Sequence, residues 1–399
     1  MYECMHQPLK GLYLCYQLIS TIFIRMPIWS LQYSLPSKRP RSTWSWGHAM
    51  LMRLVRHVVH ISSYTGAIFP QPDHRALAPT EEAEGVWVEG APSKLIKDEL
   101  KILASVSEVA PDRIPGYWYS RSGAPPKPTQ PPQPGEKVFY FFHAGGFTHV
   151  SAHPKDFSAS ITRSLVDLDK SVPRAFALEY RLSSTHPFPK RFPFPAALLD
   201  CLSGYNYLVE EIGYEPSDII LVGASAGGNL ALALCRYLVE HKSLPKAEFP
   251  APPGNLLLLS PWVDVGNSHE WPGSSSLTFN MDFLGSLNTR SMLYSKQAFL
   301  GPYGFGFAIL NRYISPASLH PSVHAHFQGF PHTFIAVGTA DRFLDQIRTL
   351  KRKMVSEMDE GEVTFFEAQD AVHDYLLFKW HPHRPATLKA IATWLSESR

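Results

Sequence analysis

The stretch Asp218-Ile-Ile-Leu-Val-Gly-Ala-Ser-Ala-Gly-Gly-Asn-Leu-Ala-Leu-Ala-Leu-Cys-Arg-Tyr-Leu-Val-Glu240 decides how the rest of the chain is read. It opens on an apolar run of strand length, passes through Gly223-Ala224-Ser225-Ala226-Gly227, and continues as an apolar helix from 226 to 240. In this strand–turn–helix setting a G-x-S-x-G pattern marks a nucleophile elbow. The requirement is steric. A serine lifted clear of a sheet on a tight, strained turn needs neighbours two residues away that carry no side chain, and Gly223 and Gly227 meet that need. The helix that follows offers free N–H groups at its start to a developing anion.

The flanks of this unit alternate in the same way. VFYFF (138–142), RAFALEY (174–180), NLLLLS (255–260), TFIAVG (333–338) and EVTFFE (362–367) read as further strands, and 195–212, 343–358 and 384–397 as helices. Such alternation predicts an α/β fold with a mostly parallel sheet covered by helices on both faces. A strand is also expected at 112–121. The six prolines of 122–137 then suggest an extended surface loop, read as a hairpin-like insertion between flanking strands. The alternation breaks between 260 and 333, too long a stretch for one crossover. An insertion at about 265–312, at the carboxyl end of a strand, is placed to cover a site. The domain reading is therefore 1–110 as an N-terminal helical or cap region and 111–399 as the catalytic domain.

A serine needs a base, and the base needs an orienting acid. Asp341 follows the strand 333–338 and lies 116 residues after Ser225. His373 follows the strand 362–367, another 32 residues on. The order Ser, Asp, His at successive strand ends fits the elbow architecture. Asp345 and Asp370 are the rival acids; His332, His381 and His383 are the rival bases, and they lack the strand-end position. His143-Ala-Gly-Gly-Phe147 leaves the strand 138–142, and the N–H groups of Gly145 and Gly146, with that of Ala226, are expected to form an oxyanion hole. His143 is read as holding that loop rather than as a base.

Together these segments resemble the hormone-sensitive-lipase-like, or arylacetamide-deacetylase-like, branch of the α/β-hydrolases, over about residues 137–395. The marks are HAGG for that family's HGGG, GASAGG for its GDSAGG-type elbow, and EYRL (179–182), HPFP (186–189), SPWVD (260–264) and DRFLD (341–345). The resemblance implies an α/β-hydrolase fold with a helical cap, and assigns Ser225 as nucleophile, Asp341 as acid and His373 as base. It needs no metal or organic cofactor. Ala144 departs from the first glycine of HGGG, and Ala224 from the usual acidic residue before the serine. The expected activity is cleavage of a carboxylic ester of a small or medium-sized apolar substrate. An acyltransferase using the same triad and a non-catalytic binder of a small ligand are the alternatives.

Composition narrows the partners. The 37 Lys+Arg and 35 Asp+Glu of the 399 residues leave a charge of +2, without the basic excess of a phosphate-contacting nucleic-acid binder. A hydrophobic share of 45% excludes wholesale disorder. The cysteines, Cys4, Cys15, Cys201 and Cys235, form no C-x-x-C and read as inert buried thiols. Residues 51–68 show helical apolar spacing. GLYLCYQLISTIFI (11–24) is apolar, and Arg25 ends the run. Three fates stand open for 11–33: a helix packed on the domain, an interfacial anchor, or a span carrying Arg25 within the bilayer. A cleavable signal peptide fits poorly, since no small-residue site closes the run. The location expected is cytoplasmic, or membrane-associated through 11–33.

Overall fold

The computed structural model describes residues 3–66, 76–77, 83–121, 130–279, 281–285 and 289–397. Among the described residues, eight strands form one sheet: β1 (Glu84–Val88), β2 (Ile114–Ser120), β3 (Val138–Phe142), β4 (Arg174–Leu178), β5 (Ile219–Ala224), β6 (Asn255–Leu259), β7 (His332–Gly338) and β8 (Val363–Ala368). Their spatial order is β1-β2-β4-β3-β5-β6-β7-β8. From β4 to β8 all pairs are parallel, while β2 runs antiparallel to both β1 and β4. The central strands β3 to β6 are buried at every residue, as strands covered on both faces must be.

Parallel pairing brings the functional loops to one edge. Phe142, the last residue of β3, pairs with Gly223 of β5, and Ala224 pairs with Leu259, which in turn pairs with Ala336 of β7. Gly338 ends β7 opposite Ala368, the end of β8. The loops carrying HAGG, Ser225, Asp341 and His373 therefore all leave the sheet at its carboxyl edge, where open α/β sheets place their ligands.

Three expectations are corrected. The segment 122–137 does not join hairpin partners, because β4 lies between β2 and β3; its residues 122–129 lie outside the described residues. The strand β1 falls within 1–110, so that stretch supplies a sheet edge as well as helices. Cys201 and Cys235 are buried, and burial pushes both thiols up, but Cys15 is exposed and Cys4 half-buried.

The N-terminal helix, Leu9–Ser34, packs its polar side inward. Gln17, Ser20 and Thr21 are buried with Trp29 and Tyr33, and Thr21 Oγ1 lies 2.9 Å from His57 Nε2 of the second helix, Trp46–Thr65. Leu12, Tyr16, Ile19, Phe23 and Leu31 face outward, with Phe23 73% and Leu31 76% exposed. The helix has the length and composition to cross a membrane. The second helix is shorter than the reading of 51–68 at its end, where Gly66 caps it; residues 67–68 lie outside the described residues. A cavity of about 250 Å³ lies between this second helix and the insertion, lined by Tyr33, Trp44, Arg53, Arg56, Thr278 and Met281 among others.

Candidate active site

Ser225 sits between β5 and the helix Ala226–Glu240 with φ +52° and ψ −115°, a conformation that costs a non-glycine residue about 1–3 kcal/mol. The backbone around it is held on both sides. Its N–H donates to Leu259 O at 2.9 Å, and its carbonyl accepts from Trp262 N–H at 2.9 Å and Gly228 N–H at 3.0 Å. The two flanking glycines are needed for contact, as the sequence required. A Cβ on Gly223 would strike the Gly227 carbonyl oxygen, and one on Gly227 would lie 2.6 Å from His143 O and closer still to Phe142 O. The start of the elbow helix is thus pressed against the end of β3, where HAGG begins.

His373 reaches this serine from the loop after β8, with Nε2 2.9 Å from Ser225 Oγ. Its Nδ1 lies 3.1 Å from both carboxylate oxygens of Asp341. A carboxylate can only accept, so Nδ1 carries a proton, and once the ring is neutral it presents Nε2 as an acceptor toward Ser225. Asp341 is itself oriented by the Phe343 N–H, which donates to Oδ1 at 2.8 Å. The loops after β7 and β8 are tied by Ala340 N–H donating to Ala371 O at 2.8 Å. Phe343 covers the imidazole edge-on, with ring centroids 4.8 Å apart. All three side chains are buried.

The loop after β3 turns through two glycines of positive φ, Gly145 at +110° and Gly146 at +59°. Phe147 continues at +65°, and its ring stacks on Phe299 of the insertion at 3.7 Å. Ala144 takes no positive φ, so the alanine that departs from HGGG carries no left-handed backbone strain. His143 donates from Nδ1 to Ala144 O at 2.7 Å and stacks on Tyr180 at 4.1 Å, while the Tyr180 hydroxyl donates to His143 O at 2.8 Å. Nearby, burial pushes the Glu179 carboxyl up to about 8, against the Ser151 hydroxyl and Ala152 N–H that donate to it.

The rival acids have other partners. Asp345 accepts Ser275 N–H at 2.7 Å and so fastens the insertion. Asp370 accepts the Thr43 hydroxyl at 2.6 Å, takes Trp44 Nε1–H on its carbonyl at 2.9 Å, and pairs with Arg41 at 3.5 Å, fastening the N-terminal segment. Among the rival bases, His332 accepts from Trp394 Nε1–H at 3.2 Å, and His381 packs against His48 and His383 with centroids 5.1 and 5.7 Å away.

Two carboxylates at the site were not foreseen. Asp282, from the insertion, accepts the backbone N–H of Arg342 at 2.9 Å and of His373 at 3.3 Å. Asp374 places Oδ2 3.4 Å from His373 Nε2. No motif marks Asp282; Asp374 stands beside His373 in the sequence, and that adjacency was its one signal. Among the described residues no group of three or more His, Cys, Asp or Glu is placed to hold a metal ion.

An elbow serine, a carboxylate-oriented imidazole and a glycine loop at one sheet edge define a hydrolase architecture, and the comparisons agree. A family model described as alpha/beta hydrolase fold matches residues 139–377, and the chain belongs to that family. The chain is 34% identical to the versiconal hemiacetal acetate esterase of Emericella nidulans, over 35% of this chain and 42% of that protein. It is 24% identical to esterase LipU of Mycobacterium tuberculosis, over 66% of this chain and 78% of that one. A solved hormone-sensitive lipase from a metagenome library shares the fold at a TM-score of 0.54 and 22% identity, covering 87% of this chain and 98% of its own.

Proposed function

We propose that this chain is a carboxylic ester hydrolase, an esterase or deacetylase working through an acyl-enzyme on Ser225. The observation that carries the reading is the relay in which one imidazole lies 2.9 Å from the Ser225 hydroxyl and 3.1 Å from the Asp341 carboxylate. In this scheme His373 Nε2 takes the hydroxyl proton as Ser225 Oγ attacks the ester carbonyl. Asp341 holds the tautomer and stabilises the imidazolium. The N–H groups of Gly145, Gly146 and Ala226 receive the oxyanion, each donor contributing about 3 kcal/mol in comparable sites. The imidazolium then protonates the leaving alcohol, and the neutral ring activates water to release the acid.

The substrate proposed is a small or medium-sized apolar ester, with an acetyl group as the favoured acyl part. The acetate esterase named above supports this, as do the aromatic rings of Phe147, Phe283 and Phe343 around the site. The insertion at 265–312 and the N-terminal helices are proposed to form the cap, supported by their ties to the triad loops through Asp282, Asp345 and Asp370. A fluorophosphonate probe is expected to label Ser225, and a p-nitrophenyl ester series to fall at least tenfold in kcat/KM beyond about eight acyl carbons, the behaviour of an esterase or deacetylase rather than a lipase. Absence of labelling in folded protein would favour the non-catalytic reading. Product partition with an added alcohol separates hydrolysis from acyl transfer, and water is the acceptor expected.

We further propose that the N-terminal helix lies in the plane of a membrane surface. Its inverted polarity supports this, with threonine, serine and glutamine inside and leucine, isoleucine and phenylalanine outside, as does a run of 69 residues, 4–72, holding Lys10, Arg25, Lys38, Arg39, Arg41, Arg53 and Arg56 and no acid. Basic groups beside an apolar helix face suit anionic lipid. The full chain is expected to sediment with vesicles containing phosphatidylserine. Phe23→Asp with Leu31→Asp is expected to weaken binding more than tenfold, since each side chain contributes about 1.5–3 kcal/mol of apolar burial. Equal sedimentation of the double variant would refute the docking.

A further inference from the structure

Esterase chemistry as outlined leaves one contact of the catalytic imidazole unused. His373 Nε2 faces Ser225 Oγ at 2.9 Å and also Asp374 Oδ2 at 3.4 Å. Asp374 is the next residue in the chain, and its backbone sits in the left-handed region, with φ +44° and ψ +36°. A lone aspartate tolerates that region better than most residues. The backbone is clamped there. Its N–H donates to Ser260 Oγ at 3.2 Å, and its carbonyl accepts Leu377 N–H at 2.9 Å. The side chain is 3% exposed, and Oδ1 has no hydrogen-bond partner among the described residues. A carboxylate so placed keeps its charge only beside a cation, and the group it faces is the ring of His373.

We propose that Asp374 is a positioning residue whose carboxylate holds the Nε2–H of the His373 imidazolium in an ion pair that competes with Ser225, and so sets the pH above which His373 can take the serine proton. This rests on the hydrolase reading of Ser225, Asp341 and His373. It adds a second acid, on the opposite nitrogen from Asp341.

From the loop after β7 comes Asp341 on Nδ1, and from the insertion comes Asp282, which accepts the His373 backbone N–H. From its own loop comes Asp374. Arg342 approaches Asp282 through its backbone N–H, its guanidinium being bonded to Leu284 O and Ser276 O. Arg56 of the second helix acts on Asp282 by charge alone. Phe283 and Phe343 fill the remaining faces without charge. Burial by itself would lower the imidazole, but the carboxylates of Asp341, Asp374 and Asp282 outweigh it and hold His373 up at about 9. Burial raises Asp374 to about 7 against the pull of His373, with Asp341 and Asp282 adding to the rise. The directions agree with an ion pair whose removal frees the base at lower pH.

The rising limb of kcat/KM against pH reports the group that must lose its proton in the free enzyme. With p-nitrophenyl acetate the wild-type limb is expected near pH 9, where His373 loses its proton. Asp374→Asn removes the anion and keeps the shape. It is expected to move the limb down by at least about one unit, which raises kcat/KM at pH 7 about tenfold. Asp374→Gly accepts the left-handed backbone without strain and is expected to move the limb the same way. A limb unmoved by more than about 0.3 unit in either folded variant overturns the proposal, even where turnover falls at every pH. If neither variant folds, the wild type still decides, because a limb at or below about pH 7 overturns it alone. Wild type unlabelled by fluorophosphonate at every pH sinks the hydrolase reading and this inference with it. Labelling with an unmoved limb sinks only the role of Asp374.

Discussion

Ser225→Ala is expected to lower kcat/KM for p-nitrophenyl acetate by about 10⁴-fold or more, with the remaining rate supplied by oxyanion stabilisation and binding. The argument is geometric. Ser225 Oγ is the hydroxyl 2.9 Å from Nε2 of the imidazole that Asp341 orients, and it stands at the start of a helix pressed against the glycine loop. The same substitution is expected to leave folding intact. The bonds that hold the elbow are made by backbone atoms of residue 225, to Leu259, Trp262 and Gly228. An alanine bears the same positive φ as the serine, so the strain is unchanged. The melting temperature should stay within about 3 °C, the shift that roughly 1 kcal/mol makes in a domain this large. Activity loss beside an unshifted melting curve assigns the hydroxyl to chemistry. Near-native turnover in the folded variant would remove Ser225 from the mechanism.

What could be read from the sequence is what local chemistry constrains. The elbow is a five-residue steric problem, and Gly223 and Gly227 are its direct signature. Asp341 and His373 follow apolar runs whose ends fix where a loop begins, so their convergence at one edge follows from parallel pairing. Asp282 could not be read this way. It comes from the long insertion, whose path is set by tertiary bonds such as Ser275 N–H to Asp345 and Arg342 N–H to Asp282 itself. Asp374 was in view beside His373, but its aim depends on a positive φ that only glycine announces in a sequence. The edge strand β1, Glu84–Val88, is half-buried at four of its five residues, and its apolar run, Val86-Trp87-Val88, is too short to mark a strand by itself. The hairpin error has a similar root. Strands adjacent in sequence need not be adjacent in space, and β4 lies between β2 and β3.

The second large effect is expected at Gly227, where the fold and the site meet. Gly227→Ala is expected to destabilise the protein by about 4 kcal/mol or more, in the class of severe overpacking and backbone strain. The added methyl would lie 2.6 Å from His143 O and closer to Phe142 O. Both are backbone atoms of β3 and its outgoing loop, and β3 is hydrogen-bonded on both sides, to β4 and to β5. Phe142 cannot withdraw without disturbing a ladder at the centre of the sheet, and His143 O is held by the Tyr180 hydroxyl. Relief must come from the helix Ala226–Glu240 moving off β3, and that motion carries Ser225 Oγ away from His373 and the Ala226 N–H away from the glycine loop. Stability and labelling should therefore fail together. Thermal denaturation is expected to show a drop of roughly 10 °C or more, on the scale of 2–4 °C per kcal/mol for domains of this size. Any folded fraction is expected to react with fluorophosphonate at least tenfold more slowly than wild type. Ser225→Ala, with its unshifted melting curve, is the control that separates lost chemistry from lost packing. A Gly227→Ala protein with wild-type melting and wild-type labelling would mean that the elbow does not press on β3, and the proposed placement of Ser225 against the glycine loop would have to be given up.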